Sequence, residues 1–437
     1  MGFNKKTVRD INLENKRVLM RADYNVPVKD GKISDDYRIK QSLETIRFIL
    51  AKPGTRLVIM SHLGRPISPD DKQFSLKPVA QHLSQLLNKK VHFAANCIGD
   101  EAKAAIERLN EHEILLLENL RYHPEEEAND KVFAKALVDA SGAQVFVQDG
   151  FGVVHRAHAS TDAITKFLPA VSGLLLAREV KTIEKIMRDP AKPLVSVIGG
   201  AKISDKIEIL NRMIDISDCV AVVGAMANNF LLANNIKLGN SLVEKNALAV
   251  TWQIMKRARD EEKKRKFSFL LPVDAVVSKR ADGRLPTRIV DLEGDNIADI
   301  EAYPKIPKPS AYTVADDEAI MDIGPASAGL IAGALKMAST VFWNGTCGIT
   351  ETKGLAGAHD PFAHGTRTIT EAMIGLSNRH AGRPFTLVGG GDTVSYVEQQ
   401  GLIDDFSHVS TGGGASLELI SGHKLPGIEA LLDKHTA

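Results

Sequence analysis

The sequence contains little cysteine. Its 437 residues include three, Cys97, Cys219 and Cys347, and none of them belongs to a CxxC pair. An odd number of scattered cysteines supplies neither a disulfide framework nor the ligands of a zinc site. We therefore expect a protein of the reducing cytosol that is stabilised by well-buried apolar cores.

The sequence also lacks a long apolar run and an excess of charge of one sign. No segment approaches the roughly 18 apolar residues of a membrane span, and the first residues, MGFNKKTVRD, contain no apolar signal core. Lysine and arginine number 55 together, against 54 for aspartate and glutamate. Because this balance gives no general attraction for nucleic acid or anionic membranes, we expect a soluble cytoplasmic protein with small-molecule partners.

Two common nucleotide-binding fingerprints are absent as well. No GxxxxGK[ST] motif occurs, and no GxGxxG follows the first apolar run. The first absence excludes a P-loop enzyme, and the second disfavours a nicotinamide-dependent dehydrogenase. A nucleotide, if one binds, must be held by another arrangement of residues.

What the chain has is a regular alternation of short apolar runs and segments of helical period. The apolar runs lie near residues 17–22, 56–61, 90–94, 113–118, 143–148, 194–198, 219–223, 267–272, 340–343, 385–388 and 407–410. This alternation predicts parallel sheets covered by helices on both faces. Because 437 residues exceed the usual size of one core, we expect two α/β domains, each a doubly wound, mostly parallel, Rossmann-like sheet.

Helical spacing marks the segments between the runs. In the first half the candidate helices cover residues 36–51, 75–88, 100–110 and 125–140. A further segment, 172–193, keeps its apolar residues at helical spacing until Asp189-Pro190 and Pro193 end it, and we expect it to join the domains as a hinge helix. Residues 279–320 are richer in charge and proline and less periodic, which indicates a peripheral excursion.

Four apolar runs of the second half end in glycine-rich turns: GGAK (199–202), VGAM (223–226), GGGDT (389–393) and TGGGAS (411–416). A strand that passes through glycines into a helix exposes backbone N–H groups at the positive end of the helix dipole, where phosphate binds well. Lys202 and Lys206 share one face of the helix that starts there, and could meet a polyphosphate or be ordinary surface lysines. Asp392 could hold Mg²⁺ or be an N-cap.

The corresponding turns of the first half carry arginine and histidine. Five such residues lie at or near a strand end or helix start: Arg38, His62, Arg65, Arg121 and Arg156. Individually each arginine could be a solvated side chain, but together they would bind a small acid with a phosphate and a carboxylate. His155 and His158 have a spacing compatible with metal ligation, although no third ligand lies nearby. Trp343 could line a pocket or belong to the core.

At this point the whole chain from about residue 8 resembles the phosphoglycerate kinase family. The resemblance rests on motifs in the expected order: RVLMRADYNVPV, DDYRI, MSHLGRP, LLENLRYHPEEE, DGFGVVHRAHAS, GGAKISDKI, LPVD, DIGP, WNG, GGGDT and FSHVSTGGGASLE. It implies a reversible kinase that converts MgADP and 1,3-bisphosphoglycerate to MgATP and 3-phosphoglycerate. It also implies a monomer whose two lobes close over the substrates.

The resemblance implies roles for particular residues. The 3-phosphoglycerate site would contain Asp23, Asn25, Arg38, His62, Arg65, Arg121 and Arg156. The nucleotide site would contain Gly200, Lys202, Lys206, Gly324, Asn344, Glu351, Gly391, Asp392 and Thr393, with Asp392 on the magnesium. Arg38, Lys202 and the backbone N–H groups of Gly413 and Gly414 would act on the phosphoryl group during its transfer.

The same resemblance implies the domain limits. Residues 1–171 would bind 3-phosphoglycerate, 172–193 would form the hinge helix, 194–414 would bind the nucleotide, and 415–437 would return to the first domain.

Three stretches depart from the family's usual sequence: Gly224-Ala225 with the asparagines that follow, Thr346-Cys347 with Thr350, and Gln148-Asp149-Gly150. They leave the choice between ATP and GTP open. A relative that phosphorylates another small carboxylate would have lost arginines of the acid site, and an inactive binding protein would have lost Lys202, Asp392 or Arg38. All of these residues are present, so phosphoglycerate kinase activity is the function we expect.

Overall fold

The computed structural model describes residues 3–292, 314–355, 360–375 and 383–434. The chain divides into two compact units. The first unit comprises residues 1–185 and 411–437, and the second comprises residues 186–410. Among the described residues, no helix combines the length and the apolar character that crossing a membrane requires.

The first unit is built around a parallel sheet. Its strands are β1 (Arg17–Arg21), β2 (Val28–Lys29), β3 (Lys32–Ile33), β4 (Arg56–Met60), β5 (Val91–Ala94), β6 (Ile114–Leu117), β7 (Val145–Gln148) and β8 (Ala170–Ser172). Its helices are α1 (Tyr37–Leu50), α2 (Lys77–Leu87), α3 (Gly99–Glu107) and α4 (Lys131–Ser141), and it contains most of α5 (Leu174–Arg188), whose last three residues belong to the second unit. Six strands form the sheet in the order β5-β6-β4-β1-β7-β8, with all neighbours parallel, while β2 and β3 form a short hairpin.

The central strands of this sheet are largely apolar and buried, as is typical of a parallel sheet covered by helices on both faces. All four residues of β6 are buried, as are the last four residues of β1 and of β4. The core on one face joins Val18 and Ile59 of the sheet to Ile46 of α1 and Leu83 of α2.

One predicted helix begins later than expected. The pattern predicts a helix over 125–140, but α4 begins at Lys131, because the Asp130 side chain caps it by accepting a hydrogen bond from the Phe133 N–H at 2.7 Å. Asn129 has a φ of 54°, outside the helical region. Residues 124–129 form turns instead, and they deliver Glu126 to the interior.

The second unit repeats the architecture. Its strands are β9 (Leu194–Ile198), β10 (Cys219–Val222), β11 (Ser268–Leu270), β12 (Asp274–Ser278), β13 (Arg288–Asp291), β14 (Ala319–Ile323), β15 (Thr340–Asn344), β16 (Phe385–Gly389) and β17 (His408–Val409). Its helices are α6 (Ile207–Ile216), α7 (Ala227–Ala233), α8 (Leu248–Lys264), α9 (Pro325–Lys336), α10 (His364–Met373) and α11 (Gly391–Gln399). The parallel sheet has the order β11-β10-β9-β15-β16-β17. Two doubly wound parallel sheets confirm the predicted fold class.

A second, antiparallel sheet was not foreseen. It has the order β13-β12-β14 and includes β13 and part of β14 from the segment interpreted as a peripheral excursion. Val290 of β13 is fully buried against Leu231 and Ala275, so this part of 279–320 contributes to a core. The middle of that segment, 293–313, lies outside the described residues.

The last described residues belong to the first unit and form α12 (Gly414–Ile420) and α13 (Pro426–Glu429). The Leu432 N–H donates to the Ala170 carbonyl at 2.9 Å, and the Leu432 carbonyl accepts from the Lys6 N–H at 2.7 Å. These bonds attach the tail beside β8 and the start of the chain.

Candidate active site

The residues predicted to bind an acid surround one cavity of the first unit. The cavity has a volume of about 340 Å³ and is lined by Asp23, Asn25, Arg38, His62, Gly64, Arg65, Arg121, Gly152, Val153, His155, Arg156, Gly412, Gly413 and Gly414. These residues follow the carboxyl ends of β1, β4, β6 and β7 or begin α1 and α12, so the parallel sheet gathers them at one edge. All seven predicted acid-site residues are brought together with Gly413 and Gly414, and their roles stay a prediction.

Arg38 is held at the cavity by the segment that follows β1. Its guanidinium lies 3.3 Å from an Asp23 carboxylate oxygen and donates to the Asn25 carbonyl at 3.0 Å. Asn25 is fixed in turn, because its side-chain oxygen accepts from the Gly64 N–H at 2.9 Å. The first turn of α1 therefore presents an oriented cation to the cavity.

Arg121 also lines the cavity of the first unit. It donates to the Gly64 carbonyl at 2.8 Å and forms a 2.9 Å ion pair with Glu127. Burial lowers the pKa of Arg121, but a guanidinium remains charged throughout the physiological range. Arg65 is exposed and forms no ion pair with any described residue, so its charge is available to an anion.

A buried ionic layer supports these residues, and sequence reasoning missed it. Arg21, the last residue of β1, lies 3.9 Å from Glu126, and both side chains are almost completely buried. Ser160 connects them, because its hydroxyl accepts from Arg21 Nε at 2.8 Å and donates to Glu126 at 2.6 Å. Arg21 also donates to His62 Nδ1 at 3.2 Å. The only sequence signal was a charged residue within the apolar run RVLMR.

The histidines of this region are held in the neutral form. Burial, followed by the positive charge of Arg21, lowers the pKa of His62 well below its ordinary value and that of His158 to about 4. His155 accepts from Arg156 Nε at 3.3 Å, and burial lowers its pKa also. The Nδ1 atom of His158 lies 3.8 Å from a carboxylate oxygen of Glu126, in the buried ionic layer. No cluster of three or more His, Cys, Asp or Glu residues that could hold a metal occurs among the described residues.

The second unit has a cavity of its own, with a volume of about 360 Å³. Of the residues predicted to bind nucleotide, Gly200, Glu351 and Asp392 line it. Its wall also contains Leu231, Leu242 and Ile320, apolar side chains suited to one face of a nucleobase. The remaining residues predicted for the nucleotide do not line it: Lys202, Lys206, Gly324, Asn344, Gly391 and Thr393.

Lys206 and Asn344 are joined by a short hydrogen bond from the Lys206 ammonium to the Asn344 side-chain oxygen. Burial lowers the pKa of Lys206, opposed by the charges of Asp205 and Asp392. Asn344 is fully buried at the end of β15, and its side-chain nitrogen has no hydrogen-bond partner among the described residues. A buried donor of this kind suits a phosphate oxygen.

The glycine turns of the second unit pack directly on one another. A Cβ on Gly345 would lie 2.2 Å from the Gly199 carbonyl carbon, and one on Gly224 would lie 3.0 Å from the Gly200 nitrogen. The buried Thr393 hydroxyl accepts from the Gly345 N–H at 2.7 Å. Thr393 therefore braces the turn after β15.

The other predicted nucleotide residues have varied surroundings. Lys202 is exposed, and Gly391 opens α11 with no atom near the place of a Cβ. Gly324 precedes α9, where a Cβ would lie 2.2 Å from the Asp274 carboxyl carbon. Trp343 is a core residue, fully buried, and its indole N–H donates to the Gly345 carbonyl at 2.8 Å.

The unusual residues of the second unit are used in internal contacts. Thr346 donates to the Gly348 carbonyl at 3.0 Å, and the Cys347 N–H donates to the Thr366 hydroxyl at 2.9 Å. Burial raises the pKa of the Cys347 thiol, which keeps it protonated and unreactive. Asn229 donates to the Glu244 carbonyl at 2.8 Å and accepts from its N–H at 3.1 Å.

Comparisons with known proteins agree with one another. A family model described as Phosphoglycerate kinase matches residues 8–423. Phosphoglycerate kinase from Moorella thermoacetica is 41% identical over 430 residues, covering 98% of this chain and 100% of that protein. The protein of the same name from Chloroflexus aurantiacus is 42% identical over 434 residues, covering 99% of this chain and 100% of its own. The structure of phosphoglycerate kinase from Coxiella burnetii has a TM-score of 0.78 and 33% identity, and covers 98% of both chains.

Proposed function

The chain belongs to the phosphoglycerate kinase family, and from that premise we propose that it transfers a phosphoryl group reversibly between MgATP and the carboxylate of 3-phosphoglycerate. The products are MgADP and 1,3-bisphosphoglycerate, and the step belongs to glycolysis and gluconeogenesis. The observation that carries the proposal is the cavity of the first unit, where four arginines and His62 meet Gly412–Gly414. Such a site suits a small acid with two anionic groups.

We assign each end of the acid to a part of this cavity. Arg65, Arg121 and Arg156 bind the phosphate, because guanidinium groups match its oxygens in pairs. Arg38, paired with Asp23, faces the carboxylate and the incoming phosphoryl group. The N–H groups of Gly413 and Gly414 stabilise the charge on that group during in-line transfer. The carboxylate attacks phosphorus directly, so no covalent enzyme intermediate is needed.

The second unit holds the nucleotide in this proposal. Leu231 and Leu242 pack on the base, Glu351 contacts the ribose, and Lys202, Lys206 and Asn344 meet the phosphates. The Asn344 side-chain nitrogen, which has no hydrogen-bond partner within the described part of the chain, supports this assignment. The two units close about α5 to bring the substrates into line and to keep water from the phosphoryl group.

Asp392 fits a magnesium ion. It lines the cavity, is exposed, and forms no ion pair with any described residue, and carboxylate oxygen is a preferred ligand of Mg²⁺. When bound, the ion neutralises charge on the nucleotide phosphates. We extend the proposal to a cytoplasmic monomer.

The proposal is tested by 3-phosphoglycerate-dependent consumption of MgATP, followed through coupled reduction of the acyl phosphate. MgGTP replaces MgATP in a parallel series to establish base preference. Glycerate, which lacks the phosphate, serves as the matched control substrate and should be a far poorer acceptor because it cannot engage the arginines. The absence of turnover with either nucleotide, from protein shown to be folded, would refute the proposal.

A further inference from the structure

Asp149 is a buried carboxyl group outside the cavity lining. It follows β7 directly, and its Oδ1 accepts from the Leu175 N–H at 3.0 Å and the Leu176 N–H at 3.3 Å. No acidic residue lies in the first turn of α5, so Asp149 supplies the negative charge that the N-terminus of this helix favours.

The segment that follows Asp149 forms one wall of the acid site. Cβ atoms placed on Gly150 and Gly152 would lie 3.1 Å from the Asp23 nitrogen and 2.2 Å from an Asp23 carboxylate oxygen, so this segment packs directly on Asp23. The same segment continues to Arg156. A change in the position of Asp149 is therefore passed on to Asp23 and Arg156.

A second segment of the cavity lining, Gly412–Gly414, is also attached to α5. Glu179, a buried residue of this helix, accepts from the Thr411 N–H at 2.7 Å and from its hydroxyl at 2.8 Å. Thr411 immediately precedes the glycines that line the cavity. Through Asp149 and Glu179, the helix α5 contacts two adjoining segments of the site, since a Cβ on Gly412 would lie 2.3 Å from the Phe151 ring.

We propose that Asp149 is a positioning residue for the acid site, whose carboxylate holds the segment bearing Arg156 against the N-terminus of α5. It touches no substrate and acts through Arg156 and through the glycines after Thr411. The inference rests on the proposed function, because its effect is measured as the KM for 3-phosphoglycerate.

The charge of this carboxylate changes near neutrality. Burial raises the pKa of Asp149 to about 7, opposed by the Thr45 hydroxyl, by the Leu175 and Leu176 N–H groups and by the charge of Arg178. Tyr24 also interacts electrostatically with Asp149, and it stays neutral because burial raises its pKa. Above about pH 7 Asp149 is charged and holds the helix more firmly, since hydrogen bonds to a charged acceptor are the stronger ones.

The first test compares the wild type with Asp149→Asn, which retains an acceptor oxygen but carries no charge. KM for 3-phosphoglycerate is measured at saturating MgATP between about pH 5.5 and pH 8.5. The ratio of variant to wild-type KM cancels titration of the substrate. We expect a ratio near one below pH 7 that rises to about fivefold above it. A ratio that is the same at every pH would overturn the proposal.

Two further variants remove the contact itself. Asp149→Ala deletes the acceptor, and Gly173→Ala would place a Cβ 1.9 Å from Asp149 Oδ1. Both should raise KM for 3-phosphoglycerate by about tenfold at all pH values and leave KM for MgATP within about twofold. If Asp149→Ala does not fold, Gly173→Ala and Asp149→Asn still decide the question.

Asp322→Asn is the matched control. Asp322 is a buried carboxyl group of the second unit whose pKa burial raises to about 7, and it accepts from the Gly365 N–H at 2.9 Å. It lines the nucleotide cavity, so it serves as a control only for KM for 3-phosphoglycerate at saturating MgATP. Its replacement should leave KM for 3-phosphoglycerate unchanged, and an equal rise in both variants would refute a specific role for Asp149. Wild-type turnover is measured first. If it is absent, the proposed function fails, whereas normal turnover with an unaltered KM in every Asp149 variant defeats only this inference.

Discussion

The Arg38 guanidinium lies 3.3 Å from the Asp23 carboxylate, although the two side chains come from different elements. Asp23 follows β1, and Arg38 belongs to the first turn of α1. Asp23 is buried and Arg38 is partly exposed, so the ion pair anchors an arginine that lines the cavity. A cation oriented before substrate arrives loses little entropy when it binds an anion.

Replacing Arg38 should therefore reduce turnover more than it reduces stability. We expect Arg38→Ala to lower kcat by about 10²- to 10³-fold, the usual effect of removing one group that stabilises transition-state charge. Arg47→Ala is the matched control, because Arg47 is an exposed arginine of the same helix. Coupled assays of both variants decide the matter, and equal activities would contradict the role of Arg38.

Gly345 immediately precedes Thr346, which lines the nucleotide cavity. It has a φ of 104°, and a Cβ there would lie 2.2 Å from the carbonyl carbon and oxygen of Gly199. We expect Gly345→Ala to destabilise the protein by about 1–3 kcal/mol and to raise KM for MgATP at least about tenfold, with KM for 3-phosphoglycerate unaltered.

The matched control for Gly345 is Gly329→Ala. Gly329 lies on an exposed face of α9 with no atom within 4 Å of a Cβ. This replacement should be neutral or stabilise the fold by up to about 1 kcal/mol, because alanine loses less conformational entropy in a helix. Urea unfolding and KM for MgATP are compared in both variants. A Gly345→Ala protein as stable as the control would contradict this prediction. It would show that the turns containing Gly199 and Gly345 can move apart without loss of stability.

The gathering of the predicted acid-site residues around one cavity could be predicted from the sequence, because the fold itself brings strand ends together. Arg65, Arg121 and Arg156 follow apolar runs, and parallel strands bring their carboxyl ends to one edge of the sheet. The ionic layer beneath them could not be predicted in this way. Arg21 ends an apolar strand, and its partner Glu126 comes from turns that helical spacing had placed inside a helix. Which residues pair depends on tertiary packing, which periodicity does not encode.

His158 makes the free energy of unfolding depend on pH. Burial, followed by the charge of Arg21, lowers its pKa to about 4, whereas histidine in the unfolded chain titrates near 6.5. Between these values the unfolded chain takes up a proton that the native site does not, so the free energy of unfolding falls as the pH falls from about 6.5 to about 4. We expect His158→Gln to reduce this loss by about 1–2 kcal/mol at about pH 5.

Urea unfolding gives the free energy of unfolding at about pH 5 and at about pH 8, and the effect is the difference between these two free energies. Any constant loss of packing in His158→Gln cancels in that difference. His62 contributes to the acid sensitivity in the same direction, because its pKa is also lowered, so the variant should retain part of it. A pH dependence as steep as that of the wild type would contradict the role given to His158.

Lys202 should matter for turnover and hardly at all for folding. It is exposed, and no hydrogen bond or ion pair with a described residue holds it, so its removal leaves the native contacts intact. We expect Lys202→Ala to lower kcat by about 10²- to 10³-fold with a smaller change in KM for MgATP, because its charge meets the phosphoryl group chiefly in the transition state. Lys263→Ala is the matched control, since Lys263 is a surface lysine of α8 whose only ion pair among the described residues is with Asp260 at 3.7 Å. Near-normal turnover in folded Lys202→Ala protein would contradict this role. It would mean that Lys206 and Arg38 alone stabilise the negative charge of the transferring phosphoryl group.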